Sequence, residues 1–215
     1  MLGFLCKDFY MLYGAYKKNF LLIFLLYTAV VLVMKNTFFL AFLIWITAFY
    51  SLSAITMDDS CGWDRYARTL PASSGAVIAA RFWVTLLLVG VAAAYSLIMS
   101  GILYFFLDYR EIQDLLVTIA LVTAMALVTI GILLPAAYKW GVEKVRNTFL
   151  LVFMLVFVTP MLLKNWLGTG RIEALLLWLE GFSPAALSAA ALGAGLLVFA
   201  LGGWVSAGIY AKKEF

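Results

Sequence analysis

Asp58, Asp59 and Asp64 fall within one short stretch, beside Arg65 and Arg68, in a chain otherwise poor in charge. Three carboxylates so close could hold Mg²⁺, which takes carboxylate and phosphate oxygens. That chemistry would make the chain a Mg²⁺-dependent membrane lipid transferase. The spacing D-D-x-x-x-x-D suits it poorly. A second reading is a solvated loop with a helix cap. A third is a short amphipathic helix: Asp58, Asp59 and Ser60 cap its start by accepting orphan backbone N–H bonds. Trp63, Tyr66, Ala67 and Leu70 then recur at i, i+3, i+4 and i+7 as one apolar face. Pro71 limits its length. Aromatic side chains ringed by Asp and Arg suit an anchor in a partner's pocket.

Other chemistries lack their residues. There is no histidine, hence no His-based metal site or general base. Cys6 and Cys61 are far apart, which argues against a disulfide framework or zinc site. The phosphate-binding pattern G-x-x-x-x-G-K-[ST] is absent, so ATP is not bound in that manner. Neither G-x-S-x-G nor H-E-x-x-H occurs, leaving serine-hydrolase and zincin mechanisms without support. Asp64-Arg65-Tyr66-Ala67-Arg68 is similar to the D-G-x-x-A-R of CDP-alcohol phosphotransferases, but one residue is missing and the downstream G-x-x-x-D-x-x-x-D is absent.

The elements that must carry this stretch are membrane spans. The 215 residues are 66% hydrophobic and 12% charged, with mean hydropathy +1.06. A chain this short cannot hide so much apolar surface in one water-soluble globule. An all-α, polytopic integral membrane protein is expected, as one domain over 1–215. The net charge of +4 is dispersed, which fits cytoplasmic loops rather than nucleic acid.

Residues 1–18 carry Phe9, Leu12, Tyr13 and Tyr16 at helical spacing, with Lys7, Lys17 and Lys18 on the other side. This reads as a helix in the membrane interface, or as the start of the first span. Six transmembrane helices are expected, at Phe20–Met34, Phe38–Thr56, Phe82–Leu107, Leu115–Tyr138, Thr148–Leu163 and Ala185–Tyr210. The first covers only about 22 Å of a core roughly 30 Å thick, so Lys17, Lys18 and Lys35 would snorkel. Residues 164–184 hold an apolar run too short to span, read as a re-entrant or amphipathic outer segment. With six spans, eleven Lys and Arg lie on the side of the termini, and Lys35, Arg110, Lys164 and Arg171 on the other. The positive-inside rule then puts both termini and the 57–76 loop in the cytoplasm. Almost no charge falls within the spans, which disfavours ion-driven transport. Gly202 and Ser206, and Gly203 and Ala207, are spaced for close helix packing, within the monomer or against a second subunit.

An acidic pair ends the second span (Asp58-Asp59). Gly62-Trp63-Asp64-Arg65-Tyr66, Thr69-Leu70-Pro71 and Ala80-Arg81 then lead into the third. This pattern resembles the permease subunit of type-2 ABC exporters. The likeness extends to the amino-terminal Lys-Asp, the outer amphipathic segment and the Lys-Lys-Glu-Phe tail. In size the chain is similar to permeases that export phenol-soluble modulins, which are amphipathic peptides. The resemblance implies a bacterial plasma-membrane protein with no catalytic site or metal of its own. It pairs with a second permease, identical or paralogous, and docks on a separate ABC ATPase that binds ATP and Mg²⁺. Asp58, Asp59, Gly62, Trp63, Asp64, Arg65, Tyr66, Arg68, Leu70 and Pro71 would meet the ATPase. Tyr27, Thr47, Tyr50 and Ser51 would line the path of a hydrophobic or amphipathic cargo: a peptide, lipid or drug. Nothing in the pattern identifies that cargo.

Overall fold

The computed structural model describes residues 2–34, 38–107, 112–147, 149 and 183–213. Every regular element among them is helical: α1 (Leu2–Met34), α2 (Phe38–Cys61), α3 (Trp63–Thr69), α4 (Ser74–Leu107), α5 (Ile112–Trp140) and α6 (Pro184–Lys212). A short helical segment also covers 142–147. The expected fifth span, apart from Phe149, and the outer segment up to 182 lie outside the described residues.

Four of these helices are long and apolar enough to cross a membrane, over Leu2–Val33, Ser74–Phe105, Leu116–Trp140 and Pro184–Lys212. The 24-residue α2 also exceeds the roughly 30 Å core at about 1.5 Å per residue. Leu21, Leu22, Leu25, Val91, Ile98, Phe105, Met125, Ile132, Leu197 and Leu201 are exposed. In water such a surface would be an aggregation hazard; in a bilayer it is the lipid-facing side.

Two expected boundaries move. The 1–18 stretch is not a separate interfacial helix but continues unbroken into the first apolar run as α1. No proline interrupts it, and its Asp8 and Leu12 are buried, so its inner face has protein to pack against. The third long helix begins at Ser74 rather than Phe82. Ser73 caps it, its Oγ accepting from Ala76 N–H at 3.3 Å.

The most extensive packing is between α5 and α6. It depends on glycines. A Cβ on Gly131 would lie 2.9 Å from Phe199 Cα, and one on Gly195 would lie 3.0 Å from the Ala124 carbonyl oxygen. A Cβ on Gly202 would overlap the Gly131 carbonyl. Pro135, inside α5, lacks the N–H that would bond that carbonyl four residues back. The proline therefore frees the same oxygen against which Gly202 packs. Gly202 and Ser206 are buried, so this half of the small-residue pattern serves packing within the chain. Gly203 instead faces the Phe82 ring on α4. At the opposite end of the bundle, Ser96 Oγ donates to the Leu40 carbonyl at 2.8 Å and joins α4 to α2.

Candidate coupling site

Between α2 and α4 the chain makes two sharp turns. Gly62 adopts a left-handed conformation, φ 66°, that glycine tolerates without steric cost. It separates α2 from α3. Leu70 ends α3 with extended backbone, φ −80° and ψ 146°, the region favoured before a proline such as Pro71. The expected capping by Asp58, Asp59 and Ser60 does not occur. They occupy the last turn of α2, and Gly62 stands at the N-cap of α3, which has no side-chain cap. Ser60 Oγ donates instead to the Met57 carbonyl at 2.8 Å.

The inner side of this junction is a buried ion cluster. Arg81, in the third turn of α4, places Nε 2.8 Å from Asp8 Oδ2 on α1. Its Nη2 donates to Asp8 Oδ1 at 3.2 Å and to Asp58 Oδ2 on α2. Lys7 Nζ sits 3.0 Å from Asp8 Oδ1 and donates to Asp58 Oδ1. Asp8, Asp58 and Arg81 are buried. Two cations and two anions balance, the condition under which buried charge is tolerable. The cluster ties α1, α2 and α4 together at one end.

Two further contacts bring in α3. Lys7 Nζ lies 4.3 Å from the Trp63 ring centroid, a cation–π geometry. Tyr210 Oη, from the last turns of α6, donates to Asp64 Oδ1 at 3.1 Å. Tyr210 is itself buried, edge-on to Tyr138 of α5 with ring centroids 5.8 Å apart. Burial pushes the Asp64 carboxyl above its usual range. The Tyr210 hydrogen bond and the Lys213 charge oppose that shift, while Asp59 and Asp58 add to it. Residues near both chain ends thus meet α3 at the same end of the bundle.

The expected contact residues therefore divide. Asp58 and Asp64 are buried and engaged internally. Trp63 and Leu70 are half-buried, and Ala67 is buried. Asp59, Gly62, Arg65, Tyr66 and Pro71 are exposed; Arg68 lies on α3, and its side chain is outside the described residues. The expected apolar face is thus split: Ala67 packs inward, and Tyr66 projects outward beside Trp63 at 5.4 Å between ring centroids. The three carboxylates do not converge on a metal. Asp58 faces Arg81 and Lys7, Asp64 faces Tyr210, and Asp59 faces solvent.

The expected path residues also divide. Thr47 and Ser51 are buried, donating to the Leu43 and Ala48 carbonyls at 2.7 Å each. Tyr27 and Tyr50 are half-buried. Tyr50 packs on Tyr16 and Phe20, with centroids 5.0 Å and 4.4 Å away. Arg81 and Asp8, which the sequence offers only as parts of the family pattern, and Tyr210, which it does not single out, complete the junction. The available signal was a charge set among apolar helical positions, which must find a partner.

A sequence model of the family described as "ABC-2 family transporter protein" matches residues 3–211. The chain belongs to the ABC-2 transporter family. No curated protein and no solved structure matches it. For an ABC-2 transporter protein, the apolar helices are those of a multi-pass membrane permease, and the family implies an ABC ATPase as partner. This ABC-2 chain carries α3 on the same end of the bundle as both of its described ends.

Proposed function

We propose that this chain is the permease of an ATP-driven exporter, with α3 as the cytoplasmic element that its ATPase grips. One observation carries the reading: α3 has an exposed outer side and an anchored inner side. Arg65 and Tyr66 are exposed. On the other side, Trp63 meets Lys7 of α1 and Asp64 meets Tyr210 of α6. A push on α3 therefore reaches two long helices directly and α2 and α4 through the ion cluster. Two permeases, identical or paralogous, would together form the path. Both termini lie in the cytoplasm in this reading, as the cation asymmetry of the sequence favours.

The cargo is hydrophobic or amphipathic, an amphipathic peptide of the phenol-soluble-modulin type being the leading candidate. Support for this comes from the chain's similar size to such permeases and from the aromatic and hydroxyl character of α1 and α2 around Tyr27 and Tyr50. Catalysis of ATP hydrolysis, with its Mg²⁺, belongs to the ATPase. The competing lipid-transferase reading loses its main feature, because its three carboxylates point to different partners.

Co-expression with the cognate ATPase tests the proposal. Arg65→Ala/Tyr66→Ala should purify in normal yield without the ATPase, and Trp140→Ala, at an exposed residue outside the expected contact set, should keep it. Full retention of the ATPase by the double variant, with undiminished ATPase stimulation, would refute the assignment of α3.

A further inference from the structure

The outward face of α1, opposite the ion cluster, has a feature that transport does not explain. Tyr13, Lys17, Leu21 and Leu25 form one row at four-residue spacing, flanked by Lys18 and Leu22. These six residues line an open groove of about 560 Å³, and all six are exposed. Neighbouring Leu12 is buried, so α1 turns the opposite side to the protein. Neither lysine has an acidic partner among the described residues: Asp8, the nearest acid along α1, is held by Arg81 and Lys7.

Along the row the chemistry changes once. A phenol and two ammonium groups come first. Leucines follow and continue as exposed apolar residues to Leu32 and Val33. Two cations beside the start of a lipid-facing stripe match the layout of one anionic phospholipid, phosphate at the cations and acyl chain along the stripe. Cations at this level gain from negative headgroups.

We propose that Tyr13, Lys17 and Lys18 form a binding site for an anionic phospholipid headgroup, with its acyl chain lying over Leu21, Leu22 and Leu25. The ammonium groups neutralise the phosphate, and the Tyr13 hydroxyl donates to a phosphate oxygen. The leucines hold the chain by dispersion and shape. Selectivity over zwitterionic lipid comes from charge, because a choline beside the phosphate would be repelled by the second lysine.

The test uses the full-length chain in detergent, mixed with phosphatidylglycerol or phosphatidylcholine and read by native mass spectrometry. Wild type should retain phosphatidylglycerol in preference to phosphatidylcholine. The K17Q/K18Q variant should lose that preference, its phosphatidylglycerol adduct falling roughly tenfold or more. K17R/K18R should keep it, showing that charge and not misfolding is responsible. Glutamine suits a helix as well as lysine does, and an unchanged melting temperature without lipid confirms that the fold is intact. Equal retention of the two lipids by wild type overturns the proposal, as does full phosphatidylglycerol retention by K17Q/K18Q. A variant that alters only self-association assigns the face to a second copy and overturns it too.

Discussion

Arg81 Nε and Asp8 Oδ2 stand 2.8 Å apart with both side chains buried, joining α4 to α1 across 73 positions of sequence. Because Lys7 and Asp58 complete the set, each charge has two opposite neighbours. Removing one leaves an uncompensated charge away from water. Arg81→Met should destabilise the detergent-solubilised protein by about 3–5 kcal/mol. Arg81→Met/Asp8→Leu removes one charge of each sign and leaves the Lys7–Asp58 pair, so it should cost less than the single change. Tryptophan-fluorescence melting of the three proteins checks this. An Arg81→Met protein as stable as wild type would contradict it.

The α5–α6 crossing predicts a sharp contrast between glycines. Gly202→Val forces a side chain into the Gly131 carbonyl, for a loss of about 1–3 kcal/mol by overpacking. Gly208→Ala, six residues on in the same helix, meets nothing within 4 Å and should stay within about 0.5 kcal/mol of wild type. Equal effects in thermal melting would show that the crossing is not held by glycine contact.

Asp64 predicts a pH dependence. Burial raises its folded pKa above the unfolded value, so the folded chain holds its proton to higher pH. Its contribution to stability is fully present below the unfolded pKa and is lost as pH rises through the raised folded value. The window begins in the ordinary carboxylate range and extends above it. Over that window the melting temperature of wild type should fall relative to Asp64→Asn, whose amide oxygen can still accept from Tyr210. At neutral pH Asp64→Asn should be at least as stable as wild type. A difference of opposite sign between the two melting profiles would contradict the assignment.

Tyr210→Phe separates docking from transmission. Its hydroxyl donates to Asp64 and the residue is buried, so the change leaves the exposed side of α3 as it is. The ATPase should still co-purify, while cargo-stimulated ATPase activity in proteoliposomes falls severalfold. Unchanged stimulation would remove α6 from the coupling route.

Much of this architecture was legible because apolar run length is a strong signal for a span. The stop at Leu70-Pro71 was equally legible, because proline fixes local backbone, but the turn at Gly62 was not, because Asp58, Asp59 and Ser60 are equally good cap residues and lie instead in the last turn of α2. Nor was the pairing of Asp8 with Arg81. Periodicity places a charge on a helix face but cannot say which distant helix lies opposite, so the pairing of Asp58 with Arg81 and Lys7 gave no sign of itself either. The start of α4 at Ser74, ahead of Arg81, was hidden for the same reason. Charges that look like a solvated boundary become helix interior once they neutralise one another. Tyr210 gave little signal, since a tyrosine near a span end reads equally well as an interfacial ring.

If α3 is the surface that an ABC ATPase grips, a photo-crosslinking phenylalanine at position 66 will meet that partner, and one at position 104, near the far end of α4, will not. Irradiated membranes should give a permease–ATPase adduct from position 66 and none from position 104. No adduct at 66, or adducts of equal yield at both positions, would contradict the account.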